Sequence, residues 1–121
     1  MLLDTCVFVD LTRRREKAAI FAASLLEVPF ASVATWTELL AGAKSQREER
    51  LIGSVLGKVR VLPVTEEIAR RAGEWLKHYR GSHGVDDFDA LIAATAERHG
   101  LRLATLNFKH FPMFPKLEAA Y

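Results

Sequence analysis

A chain of 121 residues, 50% of them hydrophobic and 26% charged, has the size and composition of a single soluble domain, with no room for a second core. A formal charge of +2 is too small to announce a polyanionic partner, but any acidic pocket stands out against it. The lone Cys6 excludes an internal disulfide, and no apolar stretch is long enough to span a bilayer or to act as a secretion signal; a cytoplasmic protein without a membrane anchor is expected.

Short apolar runs alternate with amphipathic stretches along the chain. Met1–Leu3 reads as the first strand. Ala18, Phe21, Ala22, Leu25 and Leu26 then share one face of a helix ending near Pro29. Phe30–Val33 reads as the second strand, followed by a helix opened by Thr35 with Glu38 at capping-box spacing. Ser45 with Glu48 opens the next helix, whose inner face carries Leu51, Ile52, Val55 and Leu56. Val59–Val64 is the third strand, and Ile68, Ala72, Trp75, Leu76 and Tyr79 mark another helix. Asp89–Ala96 is apolar nearly all round, as an inner helix should be, and Gly100 is a natural stop before the last strand, Leu101–Thr105. Near-continuous apolar strands alternating with helices predict an α/β fold, a three-layer α/β/α sandwich around a mainly parallel sheet joined by right-handed crossovers.

That arrangement gives four acids a shared address. Asp4 ends the first strand, Glu38 lies in the first turn after the second, and Asp86 and Asp89 open the inner helix. Asn107 follows the last strand, and all five can reach the carboxyl edge of the sheet, where open α/β sheets place their functional crevice. Each acid also has a purely structural reading. Glu38 can complete the Thr35 capping box, Asp86 can be an N-cap, and Asp89 can face the positive end of its helix. Asp4 has no evident cap role and stands among Leu2, Leu3, Val7 and Phe8.

Two like charges about 4 Å apart repel by roughly 4 kcal/mol at an effective dielectric near 20. Three or four such groups raise one another's pKa or splay apart unless a counter-charge joins them. No Lys, Arg or His adjoins Asp4 or Glu38 in sequence. An all-oxygen ligand set selects a hard ion, Mg²⁺ or Mn²⁺, and such an ion recruits phosphate oxygens, so phosphoryl chemistry is the natural use.

The segments Leu2-Leu3-Asp4-Thr5-Cys6-Val7, Ser32-Val33-Ala34-Thr35-Trp36-Thr37-Glu38-Leu39, Asp89-Ala90-Leu91-Ile92-Ala93-Ala94-Thr95-Ala96 and Leu103-Ala104-Thr105-Leu106-Asn107 with Phe111 resemble, in order, those of PIN-domain ribonucleases, and more narrowly VapC toxins. The resemblance covers essentially the whole chain, so residues 1–121 are expected to be one PIN-like nuclease domain. It implies an endoribonuclease whose catalytic core is Asp4, Glu38 and Asp89; Asp86, one helical turn before Asp89 and on the same face, is expected as an added metal ligand. Thr5 and Thr105 become hydroxyls supporting the carboxylates. Asn107 falls where many relatives carry a fourth acid, which weakens the case for a second metal. The resemblance further implies RNA cleavage leaving a 5′-phosphate, structured substrates such as tRNA or rRNA, a VapB-like antitoxin and a homodimer. Rival readings are a catalytically inactive PIN-like module that binds RNA or a partner, and a metal-dependent phosphatase acting on small phosphoesters.

Other features carry less. Arg13-Arg14-Arg15 with Lys17 suits RNA phosphates or a solvated first helical turn equally. Trp36, Phe108, Phe111 and Phe114 are expected mainly in packing, although stacking on bases is open to them. Cys6 is expected as a buried packing residue and Asp87 as solvated, while His78, His83, His99 and His110 lack zinc spacing and are expected on the surface or in loops.

Overall fold

A computed structural model describes residues 1–121. Its four strands are β1 (Leu2–Leu3), β2 (Phe30–Ser32), β3 (Arg60–Leu62) and β4 (Leu103–Ala104). They form one parallel sheet in the order β3-β2-β1-β4. Six helices connect them: α1 (Thr5–Thr12), α2 (Glu16–Ser24), α3 (Val33–Gly42), α4 (Gln46–Leu56), α5 (Glu66–His83) and α6 (Asp87–Arg98).

The pleat distributes the core. Neighbouring strand residues face opposite ways. Leu2 therefore packs with Ile68, Ala72 and Trp75 of α5 and with Ile92 and Ala93 of α6. Leu3 packs on the other side with Val7 and Phe8 of α1, Leu39 of α3, and Ile52 and Leu56 of α4. Each fully buried large side chain contributes about 1.5–3 kcal/mol, so two apolar layers on a four-stranded sheet account for the α/β/α sandwich expected from the pattern. α6 is the inner helix: Ala90 and Ile92–Ala96 are all buried.

Strand ends fall short of the apolar runs for identifiable reasons. Ser32 caps α3, its hydroxyl accepting from Ala34 N, so Val33 begins a helix instead of prolonging β2. Pro63, with no N–H to give to a ladder, ends β3. Leu101 N bonds to Ala96 O and Gly100 N to Glu97 O, a Schellman closure of α6 around a left-handed Gly100 (φ 61°) that delays β4 to Leu103.

Helix assignments also shift. Thr35 does not start α3 but sits inside it, and Glu38, its sixth residue, lies in the second turn. Ser45 does cap α4, whereas the Glu48 carboxylate accepts from Lys44 N instead of closing the box on Ser45. Helix α1, unread in the sequence because its apolar run merges with β1, turns Arg13–Arg15 into the connection between α1 and α2, with Arg14 at φ 56°. Leu26 lies beyond the end of α2 and is fully exposed.

The order β3-β2-β1-β4 reverses direction between β1 and β4. At such a switch point the connections leave the sheet on opposite sides and open a crevice at the strands' carboxyl ends. Asp4 and Thr105 are the residues that immediately follow those two strands.

Candidate metal centre

Asp4 is held in two ways. Its backbone N–H continues the ladder to Ala104 O at 2.9 Å, while its carboxylate caps α1 by accepting from Thr5 N at 2.8 Å. A cap role therefore exists for the acid that sequence reading left without one. Asp4 Oδ2 also accepts from the Thr105 hydroxyl at 2.7 Å and from the Cys6 thiol at 3.4 Å. The Asp4–Thr105 bond joins residues 101 positions apart across the switch point.

Glu38 is reached from α1. The Thr5 hydroxyl donates to Glu38 Oε1 at 2.6 Å and lies 3.1 Å from the Thr35 hydroxyl. Thr35, completely buried, thus helps to orient Thr5 from within α3. Asp86 and Asp89 form a reciprocal capping box at the start of α6. Asp89 N donates to Asp86 Oδ1 at 2.8 Å, and Asp86 N to Asp89 Oδ2 at 3.3 Å.

The four acids share one neighbourhood, as their electrostatics show. Burial raises the pKa of Asp4 above the usual carboxylate range, opposed by its hydrogen bonds from Thr105, Cys6 and Thr5, with the charge of Asp86 adding to the rise. Glu38 is raised first by burial and then by Asp4 and Asp86, against the Thr5 hydroxyl. Asp89 is pushed up to about 7 by burial and by the charges of Asp86 and Asp4. Acids from three chain segments therefore raise one another's proton affinity at one sheet edge.

No lysine or arginine pairs with them. Of the ion pairs in the structure, His110 Nδ1 to Asp89 Oδ2 at 3.4 Å alone involves any of the four. His110 does lie in a loop, as expected, but its contact with Asp89 was not foreseen; nothing in sequence links residues so far apart. Arg80 pairs instead with Asp87, which is exposed as expected. Arg13 and Lys44 join Glu38 and Glu48 around a cleft of about 260 Å³ without pairing with Glu38.

As the side chains stand, no three His, Cys, Asp or Glu groups form a ready set around one metal position. The hydrogen bonds supply the reason. Both Asp4 oxygens accept internal donors, and Asp86 and Asp89 are turned toward each other's backbone. The donor chemistry nevertheless suits a hard cation. Glu38 Oε2, Asp86 Oδ2 and Asp89 Oδ1 accept no hydrogen bond from the protein, and no lysine or arginine pairs with the acids.

The supporting residues separate clearly. Thr5 and Thr105 are buried and bonded to Glu38 and Asp4. Asn107 contributes its backbone N–H, which donates to the Thr105 hydroxyl at 3.0 Å, while its side chain is exposed and bonded to none of the acids. Cys6 is half-buried beside Asp4, not sealed in packing, and burial with the Asp4 charge pushes its thiol up to about 11, so it stays protonated as a donor. Phe111 is completely buried, Trp36 and Phe114 are partly buried in the two cores, and Phe108 is exposed.

Comparison with known proteins accords with this geometry. The PIN domain family model matches residues 1–114. Ribonuclease VapC19 of Mycobacterium tuberculosis is 43% identical over 124 aligned positions, covering 99% of this chain and 98% of that protein. Ribonuclease VapC10 of the same organism is 46% identical over 93 positions, 74% of this chain and 68% of its own length. Among solved structures, a toxin–antitoxin complex from Klebsiella pneumoniae superposes with a TM-score of 0.81 at 29% identity, covering 99% of this chain and 97% of the matched one.

Proposed function

We propose, for a chain that belongs to the PIN domain family and within it to the VapC ribonucleases, that it is an endoribonuclease and the toxin of a toxin–antitoxin pair. The observation that carries this reading is the convergence of Asp4, Glu38, Asp86 and Asp89 at the carboxyl edge of the sheet, with too little positive charge to balance them.

In this reading Asp4, Glu38 and Asp89 hold the cofactor, Mg²⁺ or Mn²⁺, with Asp86 alongside. When bound, that ion supplies Lewis acidity, easing deprotonation of water and offsetting charge on the phosphoryl oxygens. The chain's own residues do the positioning. Thr105 and the α1 N-terminus fix Asp4, and Thr5, backed by Thr35, fixes Glu38. Burial weakens the screening of these carboxylates, so they would draw in a cation, and without one they would repel a phosphate brought among them. The Asp86–Asp89 box presents Asp89 from a rigid inner helix. Single-stranded or looped RNA fits best, because its backbone can bend into a crevice without opposing duplex geometry.

The likeness to a toxin–antitoxin complex supports a VapB-like antitoxin as partner, whose guanidinium groups can pair bidentately with the acids. We extend the reading to a homodimer acting in the cytoplasm. No helix of the chain is long and apolar enough to cross a membrane.

The test uses purified protein, labelled RNA and a chromogenic phosphomonoester, each with Mg²⁺, Mn²⁺ or chelator. RNA cutting that chelator and Asp4→Asn both abolish is the expected result; Asn can still accept from Thr5 N, so the fold survives. Metal-dependent turnover of the phosphomonoester alone would make the protein a phosphatase. RNA binding without any cutting would make it an inactive binding module.

A further inference from the structure

The turn that follows β4 has a feature the acidic pocket does not use. Phe108–His110 form one 3-10 turn between Asn107 and Phe111. Both ends are anchored: Asn107 N donates to the Thr105 hydroxyl, itself bonded to Asp4, and Phe111 is completely buried. The turn is thereby tied to the site, and His110 reaches Asp89 at 3.4 Å. Between the anchors Phe108 stays 45% exposed. It borders a hollow of about 160 Å³ lined by Leu106, Asn107, Phe108, Lys109 and His110.

An exposed aromatic ring costs free energy in water and contributes nothing to the core. Here it is flanked by Lys109 and His110, both exposed, and no acidic residue lines the hollow. An uncovered aromatic face beside basic groups is the surface on which unpaired bases stack while their backbone is held by charge. An apolar peptide would strand those polar groups, and a duplex would hide its base faces. With Nδ1 turned to Asp89, His110 retains its second ring nitrogen for a ligand.

We propose that Phe108 and His110 form a nucleotide subsite next to the acidic pocket, Phe108 stacking on a base that flanks the scissile phosphate and His110 meeting that nucleotide's sugar–phosphate backbone. The subsite deepens the endoribonuclease reading and rests on it for the identity of the ligand. It makes the turn after β4 the element that seats an unpaired nucleotide relative to the acids.

The experiment has two arms. In the first, the cleavage-deficient Asp4→Asn protein is titrated with a short, fluorescein-labelled, mixed-sequence single-stranded RNA and anisotropy is followed. Phe108→Ala should weaken binding about tenfold, toward the lower end of what one aromatic–base stack contributes. Phe108→Trp should restore it, and His110→Ala should weaken it about fivefold, as loss of one polar contact does. In the second arm, otherwise wild-type protein cuts the same RNA with Mn²⁺, and Phe108→Ala should raise KM more than it lowers kcat. Undiminished affinity in Phe108→Ala, or no recovery with Trp, overturns the subsite. Cutting with an unchanged KM overturns it while leaving the nuclease reading intact. Phe108-dependent binding without any cutting sinks the nuclease reading and leaves the subsite standing.

Discussion

Replacing Asp89 with Asn tests the electrostatic argument directly, because this side chain carries the clearest cost. Its carboxyl is pushed from an ordinary value of 3.8 up to about 7 by burial and by Asp86 and Asp4. A rise of roughly three pH units corresponds to about 4 kcal/mol if the group were wholly shielded from water. Partial solvent access and mutual adjustment of the acids reduce this to about 1–2 kcal/mol. The sign follows from proton linkage. Between about pH 4 and 7 the folded protein keeps a proton that the unfolded chain has released, so stability falls as pH rises through that window and levels off above it. Asp4 and Glu38, also raised, add to the same slope. Asp89→Asn removes the largest contribution while its amide oxygen can still accept from Asp86 N. Chelator-treated wild type should therefore be more stable at pH 5 than at pH 8, and the Asn variant should lose much of that difference. Urea denaturation at the two pH values measures it, with thermal melts shifting by about 3–5 °C per kcal/mol for a domain of this size. Equal stability of the wild type at both pH values, or an undiminished slope in the variant, would refute the crowding of acids on which the site rests.

Two further outcomes follow from the same contacts. Thr105→Val removes a buried hydroxyl that donates to Asp4 and accepts from Asn107 N; it should cost about 1–3 kcal/mol in denaturation. RNA cutting should also fall by about 10- to 100-fold, as when the support of a metal ligand is lost, and activity kept intact would deny Thr105 that role. Mn²⁺ at a hundred times its dissociation constant should stabilise the wild type by about 2.7 kcal/mol at pH 8, and Asp89→Asn should gain less. A melting temperature indifferent to millimolar Mn²⁺ would rule out tight binding.

Much of this was legible in the chain. Apolar runs at Met1–Leu3 and Phe30–Val33 pointed to the parallel sheet, and Asp89–Ala96, apolar nearly all round, to the inner helix. Asp4 just after β1 and Asp86 and Asp89 at the start of the inner helix fall toward one edge once the sheet is parallel. What escaped was decided by short-range competition between donors. Thr35 looked like a cap, but Ser32 stood nearer the strand end and took the role, leaving the Thr35 hydroxyl for Thr5. Asp4 looked without a cap role because α1 begins directly after it, with no loop to separate the helix from β1. The His110–Asp89 contact is set by how the turn after β4 folds back, which no local pattern records.

The bond between Asp4 and Thr105 has a bearing on synthesis. Of the sheet's four strands the inner strand β1 is made before the others, and its neighbour β4 is made after them. Until residues near position 105 leave the ribosome, Asp4 lacks both its ladder partner Ala104 and its hydroxyl donor. Incomplete chains, whether stalled or prematurely released, thus carry the first acids without the scaffold that aligns them.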